Sequence, residues 1–526
     1  MLDVVLEGGT IVDGTGKPGF VADVAIAGDR IACIGSCRGL DSALRVACAG
    51  LVVAPGFIDA HGHSDERLLA VPLAESKIRQ GITTEIGGNC GSSPAPLSAP
   101  MHDARRERFG RRYGIEVAWS DFAGFFSALE RSGSALNFAC LVGLGVVREA
   151  IGADAPAPLT PEQLEAATRL VRAACDEGAA GVSSGLIYPP GSFADTAELI
   201  ALAGAAVQSN APLYATHLRS EGDEMLEAVD EALEVGRRAE VAVQISHHKA
   251  AGKRNWGKVH DSLARIERAR GSGVDVALDQ YPYKASSTTL AAVLPADVNV
   301  GGPAAVAARL LDPPYAALVV ARLELEYAGR WSDIYVSEAA SEKNRSLEGM
   351  SLDDVGRRTG RSAAAAAVAL LAEEGLEVSA IFFSMCEDDV RTVLSYRHTC
   401  IGTDAAARPA TGPLALGRPH PRAFGTYPRV FKRYVRDTSL LELTEAVRRA
   451  TSLPATRFAL KQRGELREGW FADVVVFDSE RIADTATYLE PQSFSEGIEH
   501  VFVNGEAVVS RGAVTGALAG RVLRRT

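Results

Sequence analysis

The chain has 526 residues, enough for a large core and two or three domains. Hydrophobic residues make up 47% and charged residues 23%, an ordinary globular balance, and no apolar run approaches the roughly 18 residues of a membrane span. The formal net charge of -11 argues against a general nucleic-acid-binding surface. The N-terminal residues show no basic stretch and no cleavage site, so the expectation is a cytoplasmic protein without a signal peptide. The eight cysteines are scattered, mostly beside apolar residues, which argues against a disulfide framework.

Residues 1–55 read as short strands separated by Gly turns, and the C-terminal stretch from 463 reads the same way. There, Ala472 to Asp478 forms a strand pattern, and His500 to Val509 forms a hairpin around Asn504-Gly505. Both termini are therefore expected to build one small β-sandwich. Residues 56–462 alternate β-branched runs with Ala/Leu/Glu/Arg helices. Strands are predicted near 57–62, 83–87, 136–142, 180–184, 212–216, 241–246, 274–279 and 399–403, with helices such as 161–177 and 223–238 between them. Eight strands with helical connections predict an α/β fold of the (β/α)8 TIM-like barrel type, with a doubly wound sheet as the alternative. The alternation breaks near 284–345, which is expected to be an insertion over the barrel mouth. The Ala-rich run at 362–371 reads as an ordinary helix, and no tandem repeat is present.

The candidate chemistry sits at the ends of these strands. His61 and His63 follow an apolar run one residue apart, so on a strand both imidazoles point the same way and form a ready pair of metal ligands. A strand running into Gly87-Gly88-Asn89-Cys90-Gly91 exposes Cys90, whose thiolate could bind one zinc ion or two. His217 and His247 each close another predicted strand. Of the adjacent pair His247 and His248 only one can face the barrel axis; His247 is the choice because it directly follows the strand, and His248 is left to pack against the wall. Asp404 supplies a carboxylate at the last strand. Each residue alone has a structural explanation, but their shared position at strand ends is where barrel enzymes carry out chemistry.

His61-Gly62-His63, followed by His217, His247 and Asp404, resembles the amidohydrolase superfamily. More narrowly, the chain resembles the D-aminoacylase (N-acyl-D-amino-acid deacylase) family. The resemblance rests on Gly-Gly-Asn-Cys-Gly at Cys90, Gly185-Leu-Ile-Tyr188-Pro-Pro-Gly191, Thr216-His217-Leu218-Arg219, Ser246-His247-His248-Lys249, Asp279-Gln-Tyr281-Pro-Tyr283 and His420-Pro-Arg422 through Arg429. It implies a zinc enzyme that hydrolyses the amide of small N-acyl-D-amino acids. Cys90, His217 and His247 would hold a tightly bound zinc; His61 and His63 would serve a second, weaker metal position, with Cys90 bridging the two. Asp404 would be the general base and would also touch the metal. Lys249, Tyr281 and Ser287 would grip the substrate carboxylate, and Met385 would line the acyl or side-chain pocket. The chain has no lysine between Lys77 and Lys249, so the carboxylated-lysine bridge of hydantoinases and dihydroorotases is missing from these strands. Cys90 is its natural replacement.

The third strand departs from the family pattern, with Leu144 where a Gly-His pair is commonly found. Arg219 and Arg408 are candidate selectivity residues for acidic substrates, whereas Met385 and Leu144 favour an apolar side chain. The alternatives are a cyclic-amide hydrolase, another amidase or lactonase on the same fold, or a zinc-stabilised binding protein. Asp404 argues against the last, because a structural zinc site needs no base.

Overall fold

The computed structural model describes residues 2–525. The middle of the chain forms the expected (β/α)8 barrel. Its strands are β1 Phe57–Asp59, β2 Ile82–Gly87, β3 Asn137–Cys140, β4 Val182–Gly185, β5 Leu213–His217, β6 Ala242–Ile245, β7 Val276–Gln280 and β8 Thr399–Ile401. β3 resumes after Leu141 as Val142–Gly143, which pairs with β4. All neighbouring pairs are parallel, and β7 pairs with β8 across the long insertion. The barrel closes where the Ala60 N–H donates to the Ile401 carbonyl at 3.2 Å. The buried Tyr427 hydroxyl reinforces the seam by donating to the Ile58 and Ile401 carbonyls at 2.6 and 2.9 Å. Nearly every strand residue is buried, the pattern of a sheet covered on both faces.

The two termini share one nine-stranded sheet. Leu2–Ile11 pairs in parallel with Val52–Pro55, which pairs antiparallel with Val474–Phe477 from the other end of the chain. The hairpin turns at Asn504-Gly505, both at positive φ, as an Asn-Gly turn requires. The last residues leave this sheet and run under the barrel: Phe138 N–H donates to Arg521 O at 2.9 Å, and Leu523 N–H donates to Phe138 O at 2.8 Å. The 463–525 segment is thus part sheet, part brace for β3.

The insertion is longer than 284–345. Ser286–Thr289, Val378–Phe382 and Ile334–Ala339 form an antiparallel sheet with Val378–Phe382 in the centre. Helices Gly302–Leu310, Pro313–Glu326, Leu352–Thr359 and Ala363–Glu373 pack around it, with a separate core including Leu323, Trp331, Leu352 and Leu371. The Ala-rich helix belongs to this small domain. Its alanines, such as the fully buried Ala364 and Ala367, let the helices approach closely. Among the described residues no single helix is long and apolar enough to cross a membrane.

Candidate metal centre

The site forms at the C-terminal mouth of the barrel, from the ends of β1, β2, β5, β6 and β8. β1 delivers His61, which is fully buried, and His63, whose side chain is 30% exposed. β2 ends in a Gly turn that brings Cys90 inward. Gly88 is obligatory there: its φ is +71°, and a Cβ would sit 1.9 Å from the Leu141 carbonyl oxygen. Cys90, His247 and Asp404 themselves have φ of +54°, +35° and +49°. Left-handed backbone is uncommon for such residues, and neighbouring groups hold it in place. The His247 N–H donates to Asp279 Oδ1 at 2.7 Å, and the Asp404 N–H donates to the His61 carbonyl at 2.7 Å.

These turns bring the donors together. Cys90 Sγ lies 3.4 Å from His61 Nε2 and 3.4 Å from His247 Nε2. Asp404 Oδ1 lies 3.1 Å from His63 Nε2 and 3.8 Å from His61 Nε2. The donor atoms of His61, Cys90 and His247, and separately of His61, His63 and Asp404, fall within 4.8 Å of one another. His217 packs edge-on against His247, with ring centroids 4.4 Å apart, and groups with Glu221 and His247. Both His217 ring nitrogens are buried without a hydrogen-bond partner. An imidazole buried in that way is costly unless it has a ligand to meet. The residues therefore fit a zinc-type cation: thiolate and imidazole donors, a carboxylate, and one orphaned imidazole facing them.

The electrostatics agree with this reading. Burial alone would raise the Cys90 thiol, but the His61 and His247 imidazoles outweigh it and hold the thiol well below its ordinary value. Burial would also raise Asp404, yet the Arg422 guanidinium, with His247 and His63, keeps it well below the carboxylate range. His217 is shifted down by burial, which keeps it neutral and able to donate a lone pair.

His248 lies outside this group. Its Nε2 contacts the Ser262 hydroxyl at 2.8 Å, and burial, with Lys249 nearby, lowers it to about 4. Lys249 pairs with Glu221 and has its Nζ 5.8 Å from the Tyr281 ring centroid. Ser287 lies on the small-domain strand above the mouth, where its carbonyl accepts from Arg422 at 2.9 Å. Met385 is buried with Tyr281, Tyr283 and Tyr488. Leu144 opens the helix after the third strand and is buried in the main core. Arg219 is occupied by Glu231 at 2.9 Å and by the Ser192 and Ala194 carbonyls. Arg408 is occupied by Glu338 and the Leu416 carbonyl, each at 2.9 Å. Both arginines are tied into the framework by these contacts.

Three site residues have no role in the sequence reading. Arg422 lies 2.8 Å from Asp404 Oδ2 and over the Tyr281 ring at 4.6 Å. Asp279 meets His61 Nδ1 at 3.1 Å while binding the His247 backbone. Glu221 meets His247 Nδ1 at 3.0 Å. The signals were present: Arg422 and Asp279 lie inside motifs the resemblance uses, and Glu221 follows His217 by four positions.

Comparison with known proteins supports the same grouping. A model described as the amidohydrolase family matches residues 341–509. Over 524 residues the chain is 40% identical to an N-acyl-D-glutamate deacylase of Alcaligenes xylosoxydans xylosoxydans, covering 100% of this chain and 97% of that protein. It is 38% identical to a D-aminoacylase of the same organism, covering 100% and 98%. The crystal structure of an N-acyl-D-glutamate deacylase from Bordetella bronchiseptica, complexed with zinc and a phosphonate mimic of the tetrahedral intermediate, superposes with a TM-score of 0.84 at 36% identity over 100% of both chains. Since the full-length identity joins a barrel with cysteine, histidine and carboxylate donors at its mouth, the chain belongs to the D-aminoacylase family of amidohydrolases.

Proposed function

We propose that the protein is a zinc-dependent hydrolase that cleaves the amide bond of N-acyl-D-amino acids, releasing a carboxylic acid and a free D-amino acid. The observation that carries this reading is the meeting of Cys90, His61 and His247 with Asp404, which faces the Arg422 guanidinium, while the Lys249 ammonium lies beside His247. Cys90, His217 and His247 would hold the working zinc, with His61, His63 and Asp404 available to a second ion. Bound zinc supplies Lewis acidity, polarising the scissile carbonyl and lowering the pKa of water toward ~7.

The chain's own residues supply the rest. Asp404 is ionised across the neutral range because Arg422 faces it, so it is ready to take the proton of the attacking water. An amine leaves poorly unless protonated, and the same carboxylate then delivers that proton to the departing nitrogen. Arg422 and Lys249 offer positive charge for the substrate α-carboxylate, with Tyr281 between them and Ser287 on the roof. Fixing the carboxylate and the carbonyl fixes two substituents of the α-carbon, so one configuration alone presents its amide correctly. Met385, Tyr281, Tyr283 and Tyr488 form an apolar cluster beside these groups, while Arg219 and Arg408 are engaged elsewhere. This supports an apolar D-side chain in preference to an acidic one.

The test is amine release from matched N-acetyl-D- and N-acetyl-L-methionine, leucine, phenylalanine, glutamate and aspartate, using zinc-loaded wild type and Asp404→Asn. The expected outcome is D-selective release, strongest for apolar side chains, falling by about 10²- to 10⁴-fold in the variant. No release from any compound by zinc-bound wild type would discard this substrate class.

A further inference from the structure

Glu221 lies in the loop after β5, four positions beyond His217, and contributes no atom to the proposed reaction. Its carboxylate oxygen Oε1 nevertheless receives the Lys249 ammonium and lies 3.0 Å from His247 Nδ1 and 3.8 Å from His217 Nε2. His247 Nδ1 has a second neighbour, Lys249 Nζ at 2.7 Å. An ammonium can only donate, whereas a carboxylate can only accept. The two neighbours therefore demand opposite tautomers of His247. With the proton on Nδ1, donated to Glu221, Nε2 keeps its lone pair toward Cys90, 3.4 Å away. If Lys249 donated to Nδ1, the ring proton would sit on Nε2, between His247 and the thiolate, and the ring could not act as a ligand there.

We propose that Glu221 is a positioning residue: it draws the Lys249 ammonium to itself, accepts the His247 Nδ1 proton, and so fixes the tautomer in which His247 Nε2 is free for a metal ion. Asp279 stands in the matching relation to His61, 3.1 Å from its Nδ1, so two of the imidazoles are each backed by a carboxylate. The inference rests on the zinc reading above, but its test needs no substrate.

Zinc affinity is measured on metal-stripped protein by competition with a chromogenic chelator, for wild type, Glu221→Gln and Asp223→Asn. Asp223 is a carboxylate in the same loop whose side chain pairs with Arg254 and Asn255 instead. Glu221→Gln keeps the shape but leaves one neutral acceptor for two donors. It is expected to bind zinc about 10- to 100-fold more weakly, while Asp223→Asn matches wild type. Unchanged zinc affinity in Glu221→Gln overturns the proposal. So does equal weakening in Asp223→Asn, since that marks a loosened loop. If Glu221→Gln fails to fold, Glu221→Asp replaces it; this variant keeps the charge one methylene short and should show weakened zinc binding, and wild-type affinity there overturns the proposal. Zinc affinity decides the matter even if no N-acyl-D-amino acid is hydrolysed.

Discussion

Glu338→Gln tests what holds the small domain over the barrel mouth. Glu338 sits on the strand Ile334–Ala339 with its side chain 2% exposed, and it meets arginines from separate barrel loops. Arg112 comes from the helix Ala99–Tyr113 after β2, and Arg408 from the loop after β8 at 2.9 Å. Burial would raise this carboxyl, but Arg408, Arg67 and Arg112 outweigh it and bring it from 4.5 down to about 2. A depressed carboxylate contributes stability that is fully present above its unfolded value and is lost as pH falls through its folded one. Here that window runs from about 4.5 down to about 2. The fall from 4.5 to about 2, at about 1.36 kcal/mol per tenfold change in proton affinity, gives about 3 kcal/mol at pH 7. The cost of removing one partner of a buried ion pair, roughly 3–5 kcal/mol, agrees. The measurement is the midpoint of the first urea transition of wild type and variant from pH 7 to pH 4, converted with a common slope. The gap should be about 3 kcal/mol at pH 7, shrink by roughly 1 kcal/mol by pH 4, and close faster below. A gap under about 1 kcal/mol at pH 7, or one that widens with acid, would refute the reasoning.

Two further outcomes follow from the same geometry. Cys90→Ser exchanges the thiolate that lies 3.4 Å from two imidazoles for a weakly acidic hydroxyl, so zinc affinity by chelator competition should fall at least about tenfold; wild-type affinity would remove Cys90 from the ligand set. Lys77→Met leaves Asp59, at 2.6 Å, and Glu85, at 3.1 Å, without their buried cation, and should lower the urea midpoint by the equivalent of about 3–5 kcal/mol. An unshifted midpoint would show that Lys77 does not balance the buried charge of Asp59 and Glu85.

The sequence shows the barrel clearly where burial dictates residue type. β4 to β7 are near-continuous runs of buried residues, and each predicted strand lies over an observed one. The insertion was less legible. Its helices Leu352–Thr359 and Ala363–Glu373 have the composition of barrel helices, and its central strand, Val-Ser-Ala-Ile-Phe, carries only a weak β signal. Its right-hand boundary therefore depends on tertiary pairing that no local window contains. Glu221 and Arg422 were obscure for another reason. A carboxylate in a loop or a guanidinium at a helix start is usually solvated, so its residue type alone says nothing about burial. Arg422 becomes informative only once Asp404 and Tyr281 are known to surround it.

The choice between His247 and His248 shows how far the period-two rule reaches. Alternation along a strand suggests that His61 and His63 share a direction, and both meet Asp404 Oδ1, although the strand itself ends at Asp59. Beyond β6 the backbone at His247 turns left-handed, and alternation no longer determines where the ring points. Asp279 does. Its carboxylate takes the His247 N–H at 2.7 Å and the Gln244 side chain at 2.9 Å, pinning the turn to both neighbouring strands. A left-handed non-glycine residue costs on the order of 1–3 kcal/mol, and a hydrogen bond to a buried carboxylate returns about 1.5–3 kcal/mol. The two are comparable, so each turned ligand needs its own buried anchor: Asp279 for His247, the His61 carbonyl for Asp404, and the glycine-lined bed around Cys90. Strained backbone at three candidate ligands is thus tolerated because each turn is anchored, and for His247 the anchoring carboxylate of Asp279 is as necessary to the site as the donor itself.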